Sequence, residues 1–142
     1  MIKNIIITLL LAASSYVVSS EPPPTPKTAY RAIVVRVKDG DTCVVNIELG
    51  FDLWKHNEVV RLLNIFAPET FRPKSAKERT DGEKVKKFLI ERLTPGEEIV
   101  IVTDKDKRDM YGRAIGVLWD SDGNVNDALT EYMKASKIKQ NN

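Results

Sequence analysis

From Thr28 to Leu49 the chain alternates with period two. Tyr30, Ala32 and Val34 fall on one face and Ile33, Val35 and Val37 on the other; after Lys38-Asp39-Gly40-Asp41 the pattern resumes with Cys43, Val45, Ile47 and Leu49. Successive strand side chains point to opposite faces, so such a pattern demands a half-buried antiparallel pair and excludes a helix. Gly40 is expected to supply the permissive backbone of the connecting turn. Cys43, the only cysteine, lies on the alternating face as a buried strand residue. With no second cysteine there is no internal disulfide, and the fold must rest on its apolar core.

Beyond Leu49 the reading continues with a long tip, Gly50 to Asn57, and a third strand, Glu58 to Ile65. Phe51, Leu53 and Trp54 of the tip either fold back over the sheet edge or present an apolar patch to a partner. His56, the single histidine, has no companion for a metal or catalytic set and reads as solvated. Thr80-x-x-Glu83 reads as a capping box ahead of Val85, Phe88, Leu89 and Leu93 at helical spacing, and Thr94-Pro95-Gly96 ends that helix. The segment from Arg72 to Arg92 carries eight basic residues against four acidic, either a solvated face or one that approaches phosphates. Glu97 to Thr103 alternates as a fourth strand, Asp104 to Asp109 reads as a charged, mobile connection, and Tyr111 to Trp119 as a fifth strand. Asp120-Ser-Asp-Gly123 lacks the further acidic ligands of a calcium loop and reads as a plain turn. Asn124 then caps a helix with Val125, Ala128, Leu129, Tyr132 and Met133 on one stripe, and the polar end from Lys134 is expected to fray. Five strands with two helices predict a mainly β fold, a five-stranded OB-like β-barrel.

At 142 residues there is room for one domain and one core, and a net charge of +2 announces no global affinity for nucleic acid. Residues 1–20 resemble a signal peptide: Lys3 near the start, an apolar run from Ile5 to Ala13, then Val18-Ser19-Ser20. Read instead as a retained anchor, this stretch is short, because a span needs about 20 mostly apolar residues. Residues 21–28 form a proline-rich linker, 29–136 the domain and 137–142 a polar tail.

Arg61-Leu62-Leu63-Asn64-Ile65-Phe66-Ala67-Pro68-Glu69 is where chemistry enters. A guanidinium in an apolar strand needs a partner, since burying an unpaired charge costs several kcal/mol. Asp39 and Asp41 before it, Glu69 after it, and Tyr111-Gly112-Arg113 downstream are the available companions. Taken singly, Arg113 also fits a surface ion pair, Glu69 a turn carboxylate and Asp39-Gly40-Asp41 a hairpin turn. Taken together, two arginines with three carboxylates suit phosphodiester hydrolysis.

Those fragments, with Asp39-Gly-Asp-Thr42, Ala67-Pro-Glu69 and Val125-Asn-Asp-Ala-Leu129, resemble the staphylococcal nuclease (thermonuclease) family over roughly Ala29 to Ala135. The resemblance implies that Arg61 and Arg113 hold the phosphate and stabilise developing charge, a task suited to a planar, always-charged fork. It implies Glu69 as general base or water-orienting group, Asp41 and the Ala67 carbonyl as calcium ligands with Asp39 behind them, and Tyr111 as a phosphate-binding residue. Phe66 stands where the family has a second calcium-binding aspartate, so a calcium site here lacks one oxygen ligand and one charge. Met110 stands where the family often has a basic residue. The expected protein is an exported, calcium-assisted, monomeric nuclease, secreted or periplasmic, acting on DNA and RNA. The alternative is a nucleic-acid or protein binding module of the same fold with weakened catalysis.

Overall fold

In the computed structural model residues 27–141 are described; the expected signal peptide and residues 21–26 of the linker lie outside them. The elements are β1 (Lys27–Asp39), β2 (Thr42–Gly50), β3 (Leu53–Leu62), α1 (Ala76–Arg92), β4 (Glu98–Asp104), β5 (Ala114–Asp120), β6 (Gly123–Asn124) and α2 (Val125–Ala135). Strand order is β3-β2-β1-β4-β5-β6. A parallel pairing of Val60–Leu62 with Ala114–Gly116 joins β3 to β5 and closes the sheet. The fold is therefore a closed, five-stranded mixed β-barrel with two helices, β6 being a two-residue addition to β5.

Alternation explains the interior. Ala32, Val34, Cys43, Val45, Val60, Ile99, Ile101 and Leu118 point inward and are all buried. The helices add Val85, Leu89 and Leu93 from α1 and Val125, Leu129 and Met133 from α2 to the same core. Burial pushes the Cys43 thiol up to about 12, as expected of a group whose charged form would be desolvated.

Several local expectations are corrected. The eight-residue tip is a two-residue turn: Gly50 pairs with Leu53, while Phe51 and Asp52 adopt positive φ, and Trp54 and Lys55 already belong to β3. A register shift between Val45 and Ile47 disguised the strand. The positive-φ Asn57 donates its N–H to the Asn46 side chain there, which breaks the alternation. His56 is thus an exposed strand residue. Phe51 is fully exposed and Leu53 largely so, while Trp54 lies beneath the Arg31 guanidinium.

Helix α1 starts at Ala76, not beyond Thr80. Ser75 caps it by accepting from the Glu78 N–H, and Glu78 accepts in return from the Lys74 N–H. Thr80 bonds back to the Ala76 carbonyl inside the helix. The first turns of α1 are almost wholly exposed, so its apolar period begins only at Gly82 and Val85.

Gly40 does not have positive φ; a Cβ there would sit 2.8 Å from the Ala67 Cβ and 3.0 Å from Val85. Its reason is close packing of the turn against α1. The 104–109 connection is pinned, because Asp106 accepts from Tyr30 and Thr103, and Arg108 pairs with Glu58. Strand β5 begins at Ala114, so Tyr111-Gly112-Arg113 lies in the turn before it. The chain after α2 does not fray: Lys137 adopts positive φ, the buried Ile138 donates to the Met133 carbonyl, and residues 140–141 bind the Phe66 backbone.

Candidate active site

Strand β3 ends by delivering Arg61 to the mouth of the barrel, where the hairpin turn between β1 and β2 lies beside it: Thr42 pairs with Arg61 and the Asp41 carbonyl accepts from the Leu62 N–H. Nη1 of Arg61 is 3.0 Å from Oδ2 of Asp41, and Nη2 donates to the Ile65 carbonyl at 3.1 Å. Here is the partner that a guanidinium in an apolar strand requires. Asp41 is buried; it also accepts from the Thr42 hydroxyl and, at 3.3 Å, from the Ala67 N–H. The loop after β3 turns through positive-φ Asn64, buries Ile65 and runs to Glu69, whose carboxylate accepts from the Phe71 N–H at 2.8 Å.

From the other side, the turn before β5 carries Arg113. Its Nε donates to Asp109 at 2.6 Å, and Asp109 also accepts from the N–H groups of Tyr111 and Arg113. Partial burial pushes the Asp109 carboxyl up, but these donors outweigh it and hold the group below the usual carboxylate range.

Asp39, Asp41, Arg61, Ala67, Glu69 and Arg113 all line one open cavity of about 440 Å³, together with Lys38, Thr42, Pro68, Thr70 and Phe71. The structure thus brings six of the seven expected site residues to one concavity. Tyr111 is outside the lining, 75% exposed, with its ring 5.3 Å from the Arg113 guanidinium carbon. Such an assembly offers two planar cations for a phosphate and a solvent-reachable carboxylate for a water.

A calcium ion finds a thin donor set here. Among the described residues no group of three or more acidic, histidine or cysteine side chains is placed to hold a metal. Phe66 contributes no oxygen, and its ring lies 5.8 Å from the Arg61 guanidinium carbon. Asp41, Asp39 and the Ala67 carbonyl would supply fewer than the about 6 to 8 oxygens that a tight calcium site takes.

Three residues with structural claims on the site are given no role in the sequence reading, although Asn126 lies within the Val125-Asn-Asp-Ala-Leu129 fragment. Asp109 fixes Arg113, and its signal was the i,i+4 spacing within Asp109-Met-Tyr-Gly-Arg113. Phe71, 80% exposed on the cavity rim, had no distinguishing pattern. Asn126 is buried; its amide donates to the carbonyls of Leu63 and Gly116 and accepts from the Leu118 N–H. It thereby ties α2 to β5 and to the loop that follows Arg61; a polar residue one step inside an apolar helix stripe was its signal.

Comparison with known proteins bears on the family of the chain. The family model described as "Staphylococcal nuclease homologue" matches residues 59–142. The chain is 35% identical over 107 residues to "Endonuclease YhcR" of Bacillus subtilis (strain 168), covering 72% of this chain and 8% of that protein. It is 30% identical over 99 residues to "Thermonuclease" of Staphylococcus intermedius, covering 70% of this chain and 54% of that protein. The chain therefore spans a small part of the first relative and about half of the second.

Proposed function

Because this chain belongs to the staphylococcal nuclease family, we propose that it hydrolyses phosphodiester bonds in DNA and RNA at the cavity between Arg61 and Arg113. The observation carrying this reading is the convergence of both guanidinium groups and the Glu69 carboxylate on one concavity. The arginines grip the phosphoryl oxygens, exchanging their resting bonds to Asp41 and Asp109 for bonds to the substrate, and strengthen their hold as charge develops. Glu69 orients the attacking water in line with the leaving oxygen and accepts its proton. Asp41 and the Ala67 carbonyl, with Asp39 acting through water, would hold a calcium ion, which would supply additional positive charge at the phosphate. Among the described residues no helix is long and apolar enough to cross a membrane. The signal-like N-terminal sequence supports export, to the secreted or periplasmic space, of a chain that we read as a monomer.

A second reading, a binding module with diminished catalysis, is favoured by Phe66, which is 41% exposed beside Arg61 where a carboxylate would complete the donor set. The decisive experiment incubates the chain with single-stranded DNA in millimolar calcium and in chelator, beside a Phe66→Asp variant, and follows calcium binding by calorimetry. Calcium-dependent cleavage by the parent, with the variant binding calcium roughly ten-fold more tightly, supports the nuclease. Cleavage by the variant alone establishes the binding module.

A further inference from the structure

A second cavity of about 490 Å³ opens between the start of α1 and the segment after α2, lined by Lys74 and Lys77 on one side and Lys137 and Lys139 on the other. Pro68 lines both this groove and the candidate active site, so the two are neighbours along one surface. We propose that the groove is a second phosphate-backbone subsite, which holds a nucleic-acid strand several nucleotides away from the scissile bond. The proposal rests on the nuclease reading above.

Charge makes the case. The two acids of the groove are engaged within the protein: Asp81 pairs with Lys77, and Glu78 accepts from the Lys74 N–H and from the Asn141 amide. The ammonium groups of Lys74, Lys137 and Lys139 make no ion pair among the described residues, and all three side chains are exposed. Two segments remote in sequence thus bring three free cations to one groove. The far wall is fixed rather than loose, because Asn141 donates its N–H to the Phe66 carbonyl and Gln140 accepts from the Phe66 N–H. Lysines are flexible point charges that suit a chain of phosphates better than one shaped anion. An open groove that shares Pro68 with the candidate active site suits a strand that passes along both.

Fluorescence anisotropy in chelator, from 50 to 200 mM salt, tests this with a twelve-residue oligothymidylate and a thymidine dinucleotide. The perturbation is the triple variant Lys74→Gln, Lys137→Gln, Lys139→Gln. Each single-strand phosphate contact contributes about 0.7 to the salt slope, so losing three lowers the slope by about 2. The affinity ratio of parent to variant on the long strand should therefore grow roughly 20-fold as salt falls across that range. Dinucleotide binding should stay unchanged, and a triple lysine-to-arginine variant should retain the parental slope. An unchanged slope on the long strand, or an equal loss on the dinucleotide, overturns the subsite. If the parent binds neither oligonucleotide, the nuclease reading fails instead, and inorganic tripolyphosphate titrated by calorimetry judges the groove. Heat that is abolished in the triple variant upholds a polyanion site; its absence from the parent refutes one.

Discussion

Replacing Arg61 by lysine separates the charge of this residue from its shape. At rest the guanidinium spans two acceptors, Asp41 at 3.0 Å and the Ile65 carbonyl at 3.1 Å, with its side chain 24% exposed. A single ammonium can keep Asp41 but gives up the Ile65 carbonyl. That loss should cost the fold about 1 kcal/mol, or a fall in Tm of about 4 °C for a domain of this size. In the reaction the variant loses one of two parallel charge-assisted bonds to the phosphate, worth about 1.5–3 kcal/mol. The fall in kcat/KM should be about 10- to 150-fold. A fluorogenic oligonucleotide in excess calcium reads activity, and a circular-dichroism melt reads stability. Cleavage within two-fold of the parent, whatever the melt, would refute the clamp assigned to Arg61.

Two further perturbations probe the frame around the site. At Gly82 an added Cβ would sit 2.6 Å from the Pro68 carbonyl oxygen and 2.7 Å from Thr70, so Gly82→Ala should destabilise by about 1–3 kcal/mol, although in an open helix it would gain about 1 kcal/mol. Urea unfolding decides, and a stabilised variant would show that α1 and the site loop do not abut as described. Arg92 at the end of α1 grips Asp120 at the end of β5, whose side chain is 2% exposed. Burial pushes the Asp120 carboxyl up, but the Arg92 bond and backbone donors outweigh it and hold it below the ordinary value. The stabilisation is therefore full above the unfolded-state pKa, about 4, and is lost as pH falls through the lower folded value. Asp120→Asn should lose roughly 3 kcal/mol at pH 7 and show a shallower fall in Tm below pH 4; an equally steep fall would assign the acid sensitivity elsewhere.

What was legible in the sequence was whatever one periodicity could express. The period-two runs of β1, β2, β4 and β5 gave the strands and the barrel, because one face of each had to be apolar. The start of β3 was hidden because the irregularity at Asn57 resets the alternation. The start of α1 was hidden because nothing on its first turns packs inward. At the site, residue types announced Arg61, Asp41, Glu69 and Arg113, but Asp109, the carboxylate that holds Arg113 at rest, did not announce itself. Asp41 meets Arg61 only through strand pairing twenty residues apart. The segment after α2 looked like a solvated end because a single buried residue, Ile138, is too little for a pattern, and its remaining anchors are backbone bonds to Phe66 that no side-chain period records.

Asn126 has a consequence for how the protein comes into being. Its amide satisfies Leu63, Gly116 and Leu118 together, and residues 140–141 hold the backbone at Phe66. Domains form as units, with the N-terminal part emerging first during synthesis. All five barrel strands, Arg61, Glu69 and Arg113 thus leave the ribosome before the groups that set the loop between them. A growing chain carries every reactive side chain of the candidate site while still lacking the bonds that fix that loop, so the site takes its final shape only after Asn126 and residues 140–141 have followed it out of the ribosome.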